Sequence, residues 1–227
     1  WDRYGKDFIA ERKQYARTFS ALYQGRPTSE EGNIIKRHWW RYYDRTLPFI
    51  ESMPFLCLSV DATFKDTAKS DKVSIQVWGK KGAYYYLVDR TNARMDFTTT
   101  LQAIRNMLSK YPRIALKIVE DKANGSAIIN VLNKELGGFV GVNPLGGKES
   151  RAQAVTPYIE SGNVYIPRES WAEEFVEECT SFPTGKNDDD VDAMTQAITK
   201  MIYSNGYTEA VHKDEDVDRY LNEMTRW

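Results

Sequence analysis

The sequence predicts an α/β protein built on a mixed sheet of five strands, with helices on both faces. Three observations predict it. Phe55-Leu56-Cys57-Leu58-Ser59-Val60 is a near-continuous apolar run, the pattern of a strand buried on both faces. Val73–Trp78 and Tyr84–Val88 flank Gly79-Lys80-Lys81-Gly82 and read as a hairpin. From Asp96 onward, helical and strand patterns alternate, and a meander followed by such alternation builds a mixed sheet covered on both sides.

The elements follow in order. Residues 1–22 carry Phe8, Ile9, Arg12, Tyr15, Phe19 and Leu22 near helical spacing, predicting an amphipathic helix. Gly25-Arg26-Pro27-Thr28-Ser29-Glu30-Glu31-Gly32 predicts a loop. Ile34–Tyr43 is rich in aromatic and basic residues. Trp39, Trp40, Tyr42 and Tyr43 could stack on bases, and burial against the domain is the simpler expectation. The chain opens in mid-pattern without Met, as an excised fragment would, and residues 1–52 are expected to link it to a preceding domain. The compact domain is expected over 53–204.

Within it, Asp96 caps a helix running to about Lys110, with Phe97, Leu101, Ile104 and Leu108 on one face. Ile114–Val119 is a strand, and Gly125–Leu136 a helix ended by Gly137-Gly138. Phe139–Val142 is a short strand. Then come a helix around Ser150–Ser161, a strand at Val164–Ile166 and a helix from Ser170 to about Thr180. The last helix starts in an aspartate cluster and runs to about Ser204. This order is that of the ribonuclease H-like fold. Residues 205–227 form a polar, charged tail.

Composition narrows the function classes. With 41% hydrophobic and 28% charged residues the chain has a soluble globular composition, and a net charge of −1 means any basic surface is local. Two isolated cysteines, Cys57 and Cys179, support neither a disulfide framework nor a zinc site. No 18-residue apolar run or signal peptide is visible, so a membrane location is not expected. His38 and His212, the two histidines, lie outside the expected core, leaving no base for a serine or cysteine protease.

Acidic residues carry the chemistry. Asp188, Asp189, Asp190 and Asp192 crowd five positions before an apolar helical pattern. A helix N-terminus tolerates one or two acids through its macrodipole; four call for a cation. Asp61 follows Val60 at the C-terminal end of the first strand of the domain, where open sheets face the ligand crevice. Glu120 and Asp121 end the Ile114–Val119 strand, and alternation lets one of them face the site; Glu120 is preferred and Asp121 the substitute. Helical spacing puts Asp189, Asp192 and Gln196 on one stripe, beside a core stripe of Val191, Met194, Ile198 and Met201. Asp188 turns partly toward that core stripe, and Asp190 is expected to face solvent. Asp61, Glu120, Asp189 and Asp192 are thus the candidate metal ligands and catalytic residues. Oxygen ligands without His or Cys favour Mg²⁺ or Mn²⁺, and two such ions suit phosphodiester hydrolysis.

Two basic segments accompany them. Lys65, in the three-lysine stretch 63–72, contacts phosphate or sits in a solvated hairpin connection. Lys148 and Arg151, after Gly146-Gly147, either bind an anion at a helix entry or form a plain turn. The glycine segment misses the P-loop spacing, with Val142 where Gly is required, so ATPase activity is not expected.

Together these segments resemble the C-terminal nuclease domain of the large terminase subunit of tailed bacteriophages. The likeness rests on Phe19–Pro27 with Glu31-Gly32, Ser59-Val60-Asp61-Ala62, Val119–Gly125, Gly147–Ala152, Gly162–Pro167 and Asp188–Ala193. The resemblance implies a metal-dependent endonuclease cutting concatemeric viral DNA during packaging. It implies two Mg²⁺ or Mn²⁺ ions on Asp61, Glu120 and the third-motif acids, with Asp61 bridging. Double-stranded DNA, a portal protein and a small terminase subunit are the implied partners, in the host cytoplasm and transiently at the portal. The isolated domain is expected to be monomeric. Related resolvases pair ligands as D-x-x-D-A, which falls on Asp189, Asp192 and Ala193, while Asn187 stands where many terminases have His. A resolvase or transposase, or a non-catalytic DNA- or portal-docking module, are the alternatives.

Overall fold

A computed structural model describes residues 33–62, 72–121 and 125–204. Seven strands form one sheet: β1 (Arg41–Tyr43), β2 (Phe55–Ala62), β3 (Lys72–Lys81), β4 (Tyr84–Arg94), β5 (Ile114–Glu120), β6 (Phe139–Val142) and β7 (Val164–Pro167). Their spatial order is β1-β7-β4-β3-β2-β5-β6. β3 alone runs against the rest, so the sheet is mixed, as expected. From β2 onward the element order is the one expected of a ribonuclease H-like fold, with seven strands where five were expected. Six of the seven strands fall where strands were read, and β1 is the unexpected one.

β1 comes from the segment expected to be linker. From residue 33 that segment packs on the sheet: β1 pairs in parallel with β7, and Ile35, Trp40, Tyr43 and Ile50 are buried. The short helix α1 (Leu47–Glu51) then leads into β2. The helix expected at 1–22, Lys65 and the charged tail lie outside the described residues.

The hairpin turns at Gly82, whose φ of 61° suits a residue without a Cβ. Gly79, expected in the turn, lies inside β3, where a Cβ would meet Met53 Sδ at 2.1 Å. β4 runs on to Arg94, well past Val88, because β3 pairs with it along that whole length, ending with Lys72 opposite Arg94. Asp89 accepts bonds from Lys110 Nζ and Tyr111 Oη, both at 2.7 Å.

The sheet separates two cores. On one face α2 (Phe97–Lys110) and α3 (Gly125–Glu135) bury Leu101, Ile104, Ile128 and Leu132 against Leu58, Val60 and Val119. Asp96 caps α2 by accepting from the Thr99 amide at 2.7 Å. On the other face α4 (Lys148–Glu160), α5 (Ala172–Ser181) and α6 (Asp189–Tyr203) cover Cys57, Trp78, Leu87 and Ile118. Ala193 and Ala197 are fully buried in α6, and Ser59 Oγ donates to the Ala193 carbonyl at 2.8 Å. Small residues let this helix lie close on β2. No helix among the described residues is long and apolar enough to cross a membrane.

Candidate metal centre

β2 and β5 are adjacent and parallel, with Val60 opposite Val119. The next residue of each strand, Asp61 and Glu120, therefore turns to the other face, the one covered by α6. Asp192, one turn into α6, comes down on the same point. Asp61, Glu120 and Asp192 each offer a carboxylate oxygen, and these oxygens lie within 4.8 Å of one another. All three residues are buried, at 7%, 6% and 4% exposure. Three negative charges in so small and dry a space repel strongly. Burial, then the neighbouring Glu120, Asp192 and Asp189, raises the Asp61 pKa well above the usual carboxylate range, against the pull of Lys148.

Strand alternation also places the acid beside Glu120. Asp121 turns away, where its amide donates to Val142 O at 2.8 Å and its carboxylate accepts from Ser126 Oγ. A close approach holds Glu120: a Cβ on Gly125 would stand 1.9 Å from the Glu120 carbonyl oxygen. Only glycine lets α3 begin against the end of β5.

The aspartate cluster divides into four environments. Asp192 joins the convergent group. Asp189 is half-buried in the same first turn, outside that group, and its pKa is raised by burial and then by Asp188. Asp188 precedes the helix and pairs with Lys148 Nζ at 2.7 Å. Asp190 departs from expectation. It is fully buried, not solvent-facing, and takes Arg90 Nε at 2.9 Å and Nη2 at 2.5 Å on one oxygen. Its other oxygen accepts from Ser74 Oγ at 2.7 Å and Gln76 Nε2 at 3.2 Å. The buried pair anchors the start of α6 to β3 and β4, and so sets where Asp189 and Asp192 stand.

Lys148 and Arg151, at the start of α4, face Asp192. Lys148 Nζ lies 2.8 Å from Oδ2, and Arg151 Nη2 lies 2.6 Å from Oδ1. Glu178, on α5, accepts from the Asp190 amide at 2.7 Å and pairs with Lys72 at 3.7 Å. Burial, then Asp190, pushes its pKa up to about 7.

Sequence reasoning missed Arg90, Ser74, Gln76 and Glu178. Ser74 and Gln76 alternate with Ile75 and Val77, a pattern that reads as a solvent face, and nothing in the chain links them to a helix over 100 residues away.

The donor set is all oxygen, compact and buried, which fits a hard divalent cation of the Mg²⁺ or Mn²⁺ kind. Residues 58–201 match the family described as terminase RNaseH-like domain. No curated protein matches the chain. Among solved structures, the fold is similar to a large terminase from a thermophilic bacteriophage, with 10% identity and a TM-score of 0.60 over 88% of this chain and 52% of that one. This chain thus spans about half the length of that protein. It is also similar to the large terminase nuclease of thermophilic phage G20c with bound magnesium, with 11% identity and a TM-score of 0.56 over 74% of this chain and 97% of that one. The large terminase nuclease domain of bacteriophage SPP1 with bound Mn has 12% identity and a TM-score of 0.54, over 74% and 99%.

Proposed function

The chain belongs to the terminase family whose RNaseH-like domain its residues 58–201 match, and from that premise we propose that it is a metal-dependent endonuclease cutting concatemeric viral DNA during genome packaging. The observation that carries this reading is the convergence of Asp61, Glu120 and Asp192 from three separate stretches of chain. Mutual repulsion of three carboxylates at that depth favours a bound cation. The G20c and SPP1 nucleases, crystallised with magnesium and Mn, support the choice of ion.

Asp61, Glu120, Asp189 and Asp192 are the residues that would hold two Mg²⁺ or Mn²⁺ ions. When bound, such ions offset charge developing on a phosphodiester and lower the pKa of water. The chain's own residues do the rest. Arg90 and Asp190 hold α6 against the sheet, so that Asp192 meets Asp61 without rearrangement. The apolar faces of β2 and α6 exclude bulk water below the carboxylates. Lys148, Arg151 and Lys65 are assigned to the DNA backbone, which they grip as charges without reading sequence.

The substrate is double-stranded DNA, met in the host cytoplasm and at the portal, with the portal protein and the small terminase subunit as partners. Asp61→Ala tests the reading. It removes plasmid cleavage in Mg²⁺ or Mn²⁺ while the circular dichroism spectrum stays that of a folded domain. Full cleavage by that variant rules out the catalytic assignment. Selective cutting of four-way junctions over plain duplex would move the assignment to a resolvase.

A further inference from the structure

Both oxygens of Asp192 are engaged by cations, one from Arg151 at 2.6 Å and one from Lys148 at 2.8 Å. Asp192 is also one of the three convergent carboxylates. The side chains that neutralise it therefore compete with any divalent ion placed there. They sit on α4, whereas the acids sit on β2, β5 and α6, so the cations can leave without moving the acids. Lys148 is 43% exposed and shares its charge with Asp188, itself 38% exposed, so it is poised to turn outward. Burial works against its charge, but bonds to Asp188 and Asp192 prevail and raise its pKa, so it stays cationic. Arg151 is more enclosed and also donates to Gly146 O at 3.3 Å, within the glycine turn that opens α4.

Resting on the nuclease reading, we propose that Lys148 and Arg151 form a counter-ion gate: they neutralise Asp192 in the absence of DNA and exchange it for backbone phosphates when DNA arrives. Two positive charges beside the carboxylates weaken a divalent ion by direct repulsion. Phosphates that draw those charges away remove the repulsion, so DNA strengthens ion binding. Linkage then requires the ion to strengthen DNA binding by the same factor. The gate keeps the centre weakly loaded until a duplex lies across it, which restrains stray cutting.

The test uses the full chain and two probes: Mn²⁺ alone by titration calorimetry, and a short labelled duplex by fluorescence anisotropy with and without Ca²⁺. Lys148→Gln with Arg151→Gln should bind Mn²⁺ about tenfold more tightly than the parent chain. In that variant Ca²⁺ should no longer strengthen duplex binding, as it does in the parent. Lys148→Arg with Arg151→Lys keeps both charges and should retain the parent's Mn²⁺ affinity, which separates charge from damage to the fold. Equal or weaker Mn²⁺ binding by the neutral pair overturns the gate, as does tightening by the charge-conserving pair. Absence of Mn²⁺ binding in every variant overturns the gate and the metal-site reading together. Mn²⁺ binding that Asp61→Ala abolishes and the neutral pair leaves unchanged overturns the gate alone.

Discussion

Replacing Arg90 with Met isolates the device that holds the acidic helix in place. Asp190 is fully buried and the Arg90 side chain is 5% exposed, with two nitrogens on one carboxylate oxygen at 2.9 and 2.5 Å. Ser74 and Gln76 remain after the substitution, but on the carboxylate they donate to the other oxygen, Gln76 also reaching the Asp190 carbonyl, and they bring no charge. Removing one partner of a buried pair leaves an uncompensated charge and costs about 3–5 kcal/mol. For a domain of this size that corresponds to a fall in Tm of roughly 10 °C or more. Thermal unfolding followed by circular dichroism, in EDTA, measures it. Arg90→Met combined with Asp190→Leu removes both charges, and the apolar pair should recover most of the lost stability. A single Arg90→Met variant within about 1 kcal/mol of the parent would refute the anchoring argument. So would a double variant less stable than the single one.

Three further outcomes are expected. Gly125→Ala forces the Glu120 carbonyl to move, since the new Cβ would stand 1.9 Å from it; Mn²⁺ affinity and cleavage should both fall, and unchanged calorimetric affinity would contradict the close approach. Asp121 faces away from the centre, so Asp121→Ala should retain cleavage within about threefold, whereas Glu120→Gln should lose it by on the order of a hundredfold or more; equal losses would contradict the strand alternation. Glu178 has a folded pKa of about 7 against 4.5 unfolded, so the folded state binds its proton more tightly. Its stabilising share is complete below about pH 4.5 and is lost as the pH rises to about 7, a difference of ~3 kcal/mol. Metal-free Glu178→Gln keeps an acceptor for the Asp190 amide and should flatten the fall of Tm across that window; an unchanged slope would count against it.

The parts that were legible are those whose cause is local. The Phe55–Val60 run read as a doubly buried strand, and alternation at Val119-Glu120-Asp121 allowed one inward acid, with Glu120 preferred and found in the convergent group. Helical spacing set Asp189 and Asp192 apart from Asp188 and Asp190, but of that pair the fold brings Asp192 alone into the convergent group. The same spacing misled for Asp190. An aspartate beside the core stripe reads as solvent-exposed unless a cation is known to face it, and Arg90 is 100 residues away. Lys148 and Arg151 were read as cations placed for a bound anion, and the anion they face in this structure is Asp192 itself.

Sequence alone determined the α/β class, the order of the elements from β2 onward and the acids at the ends of β2 and β5. Each follows from periodicity and from residue chemistry within a few positions. Tertiary structure decided that residues 33–52 complete the sheet, that Asp190 is an anchor and that two cations stand over Asp192. Those outcomes depend on which faces meet when distant segments pack, and burying a charge is tolerable only where its partner arrives from another part of the fold.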